Sequence, residues 1–316
     1  MPLTYDPQIA EGMAALAAAT GSAPPPAVGD WKARREGVDA MFAMISATLP
    51  VPDGVEITDD EIPGPDGPVP VRLYRPHDAL PAVALYVHGG GMIAGTLDGY
   101  HPVVANYAAL SRIPLLAVDY RLAPEHPFPA GVEDSHAALV WLAAHSTELG
   151  ASPGHVGIIG DSAGGGIAAG VALMARDRGG PALAGQVLIY PMLDDRTVVP
   201  DPDLTGLATW SYEDNITGWS ALLGDDAQGP DVSPYAAASR ATDLSGLPPT
   251  YIDVGGLDIF RDEDIAYAAR LSAAAVPTEL HVIPGAPHGY EMLGGPSDLT
   301  VRAMADRTRA LANLAR

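Results

Sequence analysis

Cysteine is absent from this sequence and lysine occurs once, as Lys32. The first absence excludes a disulfide framework, a thiolate nucleophile and a cysteine-ligated zinc site. The second fits a GC-rich genome or adaptation to salt, and composition does not separate the two. Positive charge is scarce altogether, with 17 Lys and Arg against 39 Asp and Glu and a formal net charge of -22. Nucleic acid is thereby excluded as a partner, because phosphate binding needs clustered Lys and Arg, and an anionic membrane surface would repel the chain. Long apolar runs are lacking too, since no segment reaches the roughly 20 residues of a transmembrane helix. The opening stretch MPLTYDPQIAEGMAALAAAT holds neither a basic region nor a continuous apolar one of the signal-peptide kind. The expectation is a soluble, cytoplasmic protein with no stable membrane insertion.

What is present reads as globular. The 35 Gly and 31 Pro are scattered among apolar runs, no internal repeat is visible, and 316 residues suit one α/β unit with insertions. Asp6-Pro7 reads as a helix cap followed by proline at the first helical position, with Ile9, Met13 and Leu16 on one face. The run GSAPPPAVGD, residues 21–30, breaks that helix, and Val38, Met41, Phe42 and Ile45 carry a second that ends before Pro50. Residues 1–48 are therefore expected to form a helical cap region ahead of the main α/β domain at 49–316.

From about residue 52 come eight short β-rich runs: VEITDDEI, VPVRLYRP, AVALYVHGGG, LLAVDYR, HVGIIGD, GQVLIYP, TYIDVGG and TELHVIP. Helical stretches such as GVEDSHAALVWLAAHS, GGGIAAGVALMARDRG and RDEDIAYAARLSAAA alternate with the later ones. That alternation implies a mostly parallel sheet flanked by helices on both faces. The first two runs have no helix between them and are expected to pair as an antiparallel hairpin. Residues 196–232 interrupt the alternation, where Trp210, Ile216, Trp219 and Leu222 mark an amphipathic helical insert. It is expected to complete a cap over the carboxyl ends of the strands, where open α/β sheets bind ligands.

The pentapeptide GDSAG at 160–164 sits between a strand-like run and an Ala/Gly-rich helical one. Strand, G-x-S-x-G, helix is the setting of a nucleophile elbow: Ser162 is exposed on a strained turn, Gly160 and Gly164 leave room, and the Ala163 N–H faces a developing oxyanion at the positive helix end. GxSxG also occurs as an ordinary glycine turn, and a serine hydroxyl needs a base and a group that orients the base. His88-Gly89-Gly90-Gly91 follows an apolar run, and its glycines let backbone N–H groups approach a substrate carbonyl. His88 itself reads as a packing residue, because no spaced His or carboxylate partners surround it, and no metal site is expected. Two later strands end in loops carrying Asp258 and His288, which gives the chain order Ser, Asp, His. His77, His101, His136, His145, His155 and His281 read as surface or packing residues, and His126, the best rival base, precedes Ser162. Asp253 lies inside a strand, and Asp262 and Asp264 open a helix, where capping accounts for them. Asp258 has no such account and is taken as the acid.

Six ordered motifs resemble the hormone-sensitive-lipase-like family of α/β-hydrolases, in particular its bacterial carboxylesterases with a GDSAGG elbow. They are HGGG at 88–91, DYRLAPEHPFPA at 119–130, GDSAGG at 160–165, YPMLD at 190–194, SGLPPTYIDVGGLDIFRDED at 245–264 and PGAPHGY at 284–290, within a match over about 70–292. The resemblance implies an α/β-hydrolase fold, with a mostly parallel central sheet and a helical cap. It makes Ser162 the nucleophile, His288 the base, Asp258 its orienter, and Gly90, Gly91 and Ala163 the oxyanion-hole donors. Gly89 takes a turn-shaping role, and Asp161 and Glu125 become supporting polar residues near the elbow and the glycine loop, with an internal salt bridge as the alternative for Glu125. Met92 stands where an aromatic is usual, which bears on the acyl pocket, and Asp258-Ile259-Phe260 stands where proline and leucine follow the acid.

The implied reaction is hydrolysis of short- to medium-chain acyl esters through an acyl-enzyme, with no cofactor. A small-molecule ester is the expected partner, and similar proteins are often homodimers through the last strand and helix. Amidase, lactonase or carbamate hydrolase activity uses the same parts, and a non-catalytic receptor uses the same fold. A metallohydrolase lacks the ligand spacing.

Overall fold

The computed structural model describes residues 2–20, 24–293 and 295–316. Residues 21–23 of the expected break between the first two helices lie outside the described residues. In chain order the elements are α1 (Pro7–Thr20), α2 (Trp31–Thr48), β1 (Val55–Gly64), β2 (Gly67–Pro76), β3 (Val83–Val87), α3 (Leu97–Ser111), β4 (Leu115–Val118), α4 (Ala130–His145), β5 (Val156–Asp161), α5 (Ala163–Asp177), β6 (Gly185–Ile189), α6 (Tyr212–Leu223), β7 (Thr250–Gly255), α7 (Arg261–Ala273), β8 (Thr278–Ile283), α8 (Tyr290–Leu293) and α9 (Asp298–Ala312).

The strands form one sheet in the order β1-β2-β4-β3-β5-β6-β7-β8. β1 and β2 make the expected antiparallel hairpin, β2 also runs antiparallel to β4, and all other neighbours are parallel. Every residue of β3 to β7 is buried, as strands covered on both faces require. From β3 the chain crosses to β4 on one side and then returns to β5 on the other, so the direction of winding reverses between β3 and β5. The loops leaving those two strands diverge there and open a crevice at their carboxyl ends. The glycine run follows β3 and Ser162 follows β5, which brings both to that crevice.

The helices start where local chemistry lets them. Asp6 accepts from the Gln8 N–H at 2.9 Å ahead of Pro7, and Asp30 caps α2 by accepting from Ala33 at 3.1 Å. Ser211 and Asp214 form a reciprocal capping box, so α6 begins at Tyr212. Trp210 is therefore outside the insert's helix, contrary to the periodicity reading, while Trp219 is fully buried within it.

The last helix is anchored by one buried cation. Arg307 donates to both oxygens of Asp253 at 2.6 and 2.7 Å, to Glu291 at 2.8 Å, and to the Tyr107 and Tyr290 hydroxyls at 3.0 and 3.1 Å. Asp253, a strand carboxylate with no exposure, is thus paired across β7 and α9. Replacing Arg307 with leucine would leave Asp253 and Glu291 uncompensated in the core, a loss of about 3–5 kcal/mol and roughly 10 °C in Tm. Thermal unfolding of Arg307→Leu measures this, and an unchanged Tm would contradict it.

Candidate active site

Ser162 joins β5 to α5 with φ 54° and ψ -122°, a strained region for a residue with a side chain. Three hydrogen bonds hold it there: its N–H donates to Ile189 at 2.8 Å, and its carbonyl accepts from Met192 at 2.9 Å and Gly166 at 3.0 Å. Glycine is needed on both sides. A Cβ at Gly160 would lie 2.2 Å from the Gly164 carbonyl oxygen, and one at Gly164 would lie 2.1 Å from that of Val87.

His288, in the loop after β8, places Nε2 2.8 Å from Ser162 Oγ and Nδ1 2.6 Å from Asp258 Oδ2. Asp258 is fully buried in the loop after β7, where its other oxygen accepts from the Phe260 N–H at 3.0 Å. Tyr190 and Phe260 meet the imidazole edge-on at 4.6 and 5.2 Å, and Thr209 donates to the His288 carbonyl at 2.6 Å. The two imidazole contacts fix the ring plane and its tautomer: with Nδ1–H on the carboxylate, Nε2 is left as an acceptor toward the serine.

The glycine loop is held by its carbonyls. The Gly89 carbonyl lies 2.8 Å from His88 Nδ1, and that of Gly90 accepts from Ile93 and Ala94 at 3.1 and 3.0 Å. Because a peptide is planar, these bonds also aim the N–H groups of Gly90 and Gly91. Those two, and the Ala163 N–H, have no acceptor among the described residues. The Gly89 N–H is already committed to the Tyr100 hydroxyl at 3.0 Å. His88, expected only to pack, stacks on Tyr120 at 4.4 Å and also fixes this loop. Its burial pushes the imidazole pKa down, which keeps the ring neutral.

Above Ser162 and His288 lies a cavity of about 280 Å³, walled by Val38, Met41, Phe42, Trp210 and Met292. The Arg34–Asp214 ion pair, at 2.7 Å, ties α2 to α6 along its margin. Asp161 sits beneath, its carboxyl raised to about 6 by burial against opposing hydrogen bonds from Tyr100 and Tyr86.

Two supporting expectations resolve differently. Glu125 does not line this cavity; both its oxygens accept from Arg35 at 2.7 Å, and the guanidinium holds its carboxyl down at about 2. Met92 is buried away from the cavity and lines a separate small one beside Tyr120 and Ile167, so its departure from an aromatic does not shape the wall above Ser162. The tyrosines at 86, 100 and 120 escaped the sequence reading. Their one visible signal is that Tyr86 and Tyr120 stand within two residues of His88 and at the end of β4's run, respectively.

The other candidates lie elsewhere. His126 and His77 are exposed, His145 and His155 bond main-chain carbonyls at 2.8 and 2.7 Å, and His281 pairs with Glu279 at 2.7 Å. Among the described residues Glu279, His281 and Asp306 have metal-ligand spacing, but Arg309 is paired into the group and none lines this cavity. Asp262 is exposed and paired with Arg261 at 2.7 Å. Asp264 does not cap its helix as expected: it is fully buried, and neither oxygen has a hydrogen-bond partner among the described residues.

A serine, a histidine and an aspartate linked in series at the carboxyl edge of a mostly parallel sheet form the arrangement of an α/β-hydrolase. The family described as alpha/beta hydrolase fold matches residues 84–292. Carboxylesterase NlhH of Mycobacterium tuberculosis is 38% identical over 311 residues, covering 88% of this chain and 97% of that protein. Esterase LipI of the same organism is 40% identical over 255 residues, covering 76% and 77%. The solved structure of a bacterial heroin esterase superposes with a TM-score of 0.89 at 38% identity, over 99% of this chain and 98% of the other. The chain belongs to the α/β-hydrolase family, in its hormone-sensitive-lipase-like branch.

Burial, with Glu263, Asp258 and Asp253 as like-charged neighbours, pushes the Asp264 carboxyl well above the usual range. A folded value raised in this way gives stability that is complete below the unfolded value, about 3.9, and lost as pH rises through the folded one. Asp264→Ala should therefore raise Tm by ~2 °C or more at pH 8 and by less at pH 5. Equal shifts at both pH values would show that Asp264 is not the group that titrates.

Proposed function

We propose that the protein is a serine carboxylesterase that hydrolyses short- to medium-chain acyl esters through an acyl-enzyme. The observation that carries this reading is the pair of contacts at His288, 2.8 Å to Ser162 and 2.6 Å to Asp258, on the floor of a largely apolar cavity. The names of the relatives, esterase and carboxylesterase, support it.

Ester enters the cavity with its carbonyl oxygen toward the unpartnered N–H groups of Gly90, Gly91 and Ala163. Ser162 Oγ attacks the carbonyl carbon as its proton passes to His288 Nε2, and the oxyanion is met by those donors, each typically worth about 3–4 kcal/mol. Asp258 stabilises the imidazolium and remains ionised. His288 then gives the proton to the leaving alkoxide oxygen, and the alcohol departs. In the second half the same nitrogen takes a proton from water as the water oxygen attacks the acyl carbon; on collapse of the intermediate the bond to Ser162 Oγ breaks, His288 returns the proton to that oxygen, and the acid departs.

We assign α1, α2 and the α6 insert as the cap that excludes water from this site. α2 and residues 209–214 supply cavity wall, which supports the assignment. The cavity's size and apolar lining favour short and medium acyl chains over long ones. Among the described residues, no helix is long and apolar enough to cross a membrane.

Ser162→Ala and His288→Ala are expected to abolish turnover of p-nitrophenyl esters without loss of fold, and Asp258→Asn to lower kcat about 10⁴-fold through the wrong imidazole tautomer. A serine-reactive organophosphate should label Ser162 in the unaltered chain. Absence of labelling together with absence of ester turnover would instead favour a ligand-binding role, and faster amide than ester hydrolysis would shift the substrate class.

A further inference from the structure

One peptide unit in the glycine loop is held at both ends. The His88 carbonyl accepts from the Tyr120 hydroxyl at 2.8 Å, and the Gly89 N–H, on the other side of the same peptide, donates to the Tyr100 hydroxyl at 3.0 Å. Having accepted there, the Tyr100 hydroxyl passes its own proton to Asp161 Oδ2 at 2.7 Å, while Tyr86 donates to Oδ1 at 2.8 Å. All four side chains are buried, and they come from β3, α3, the loop after β4 and the last position of β5.

The directions of these bonds follow from the proton count. A phenol has one proton, and Gly89 can only donate, so the Tyr100 proton must go to Asp161. Both carboxylate oxygens are then acceptors, which ties the residue beside Ser162 to the start of the glycine run. Since the peptide is planar, anchoring its carbonyl and N–H fixes its rotation. The next two peptides carry the Gly90 and Gly91 N–H groups.

We propose that Tyr100, oriented by Asp161, is a positioning residue for the oxyanion hole: it takes the Gly89 N–H out of competition for the substrate carbonyl and fixes the plane from which the next two N–H groups are aimed. This inference rests on the esterase reading above. Its energetic basis is that preorganised donors act on the transition state and not on ground-state binding, so disturbing their aim lowers kcat more than it changes KM.

Tyr86→Phe and Tyr100→Phe provide the test, because each removes one buried hydroxyl bonded to Asp161 and only the second touches the Gly89 peptide. Both should lower Tm by similar amounts. Tyr100→Phe should lose about 10- to 100-fold in kcat on a p-nitrophenyl ester with KM within about threefold, whereas Tyr86→Phe keeps kcat within about threefold. Inhibition by an alkyl trifluoromethyl ketone, whose serine adduct carries an oxyanion, should weaken in parallel with kcat. Tyr120→Phe, which frees the opposite end of the same peptide, should repeat the kcat loss and serves if Tyr100→Phe does not fold. Equal kcat losses in the Tyr86 and Tyr100 variants, or unchanged kcat and ketone affinity in Tyr100→Phe and Tyr120→Phe, would overturn the proposal. If the unaltered chain neither hydrolyses esters nor is labelled at Ser162, the esterase reading fails instead.

Discussion

The backbone at Ser162 takes a conformation that an L-residue avoids, and the surrounding structure over-determines it. Its N–H and carbonyl are both committed, to Ile189 on one side and to Gly166 and Met192 on the other. Such strain persists only where neighbouring bonds fix it. Here two of the three come from β6 and the chain just beyond it, so the turn is set by the sheet and not by the pentapeptide alone. The same turn starts α5, directs its first N–H groups toward the crevice and pins Gly164 against the end of β3. Serine, helix terminus and glycine loop are thereby brought together by one local geometry.

The histidine depends on a longer chain of support. Its ring is held by Asp258 directly, and the Tyr190 ring against which it packs edge-on donates its own hydroxyl to Glu291. Glu291 is in turn paired with Arg307, and Arg307 with Asp253. A cation on the last helix therefore reaches the imidazole through an acid and a tyrosine ring without lining the cavity. Each buried charge in this series is compensated by the next, which is the condition for keeping charge in a core at all.

The eight strands, their mostly parallel order and the opening hairpin were legible because strands buried on both faces must be continuously apolar and the helices between them must alternate. Ser162, Asp258 and His288 were legible because each follows a strand, where the fold presents its loops. What escaped the sequence shares one physical cause: contacts between residues remote in the chain. Nothing local marks Tyr100 as the partner of Gly89 and Asp161, or Asp253 as the partner of Arg307. Asp264 stands near a helix start in the sequence, but α7 begins at Arg261 after Phe260, which leaves Asp264 one full turn inside the helix and buried. Trp210 fits the insert's periodicity, but the Ser211–Asp214 box starts the helix after it and leaves the indole against Gly91 and His288.

The near-absence of lysine acquires a structural use in this light. All but one of the 17 cationic side chains are arginine, and several are spent where distant segments meet. Arg34 joins Asp214 of α6 to the Pro26 and Ala27 carbonyls; its neighbour Arg35 joins Glu125 to the Ala123 and Ile93 carbonyls. Arg121 links Asp134 to Asp66. A guanidinium offers five donors in a rigid fork and can serve several acceptors at once, whereas an ammonium acts as a point charge. α2 itself carries Lys32, Arg34 and Arg35 against Glu36 and Asp39, in a chain whose net charge is -22. Its first turns are fastened by two adjacent arginines that face different partners, Arg34 toward α6 and Arg35 toward the loop after β4 and the Ile93 carbonyl beyond the glycine run, while its later turns contribute Val38, Met41 and Phe42 to the cavity wall. The polar end of the helix fixes where it lies, and its apolar end thereby becomes cavity wall.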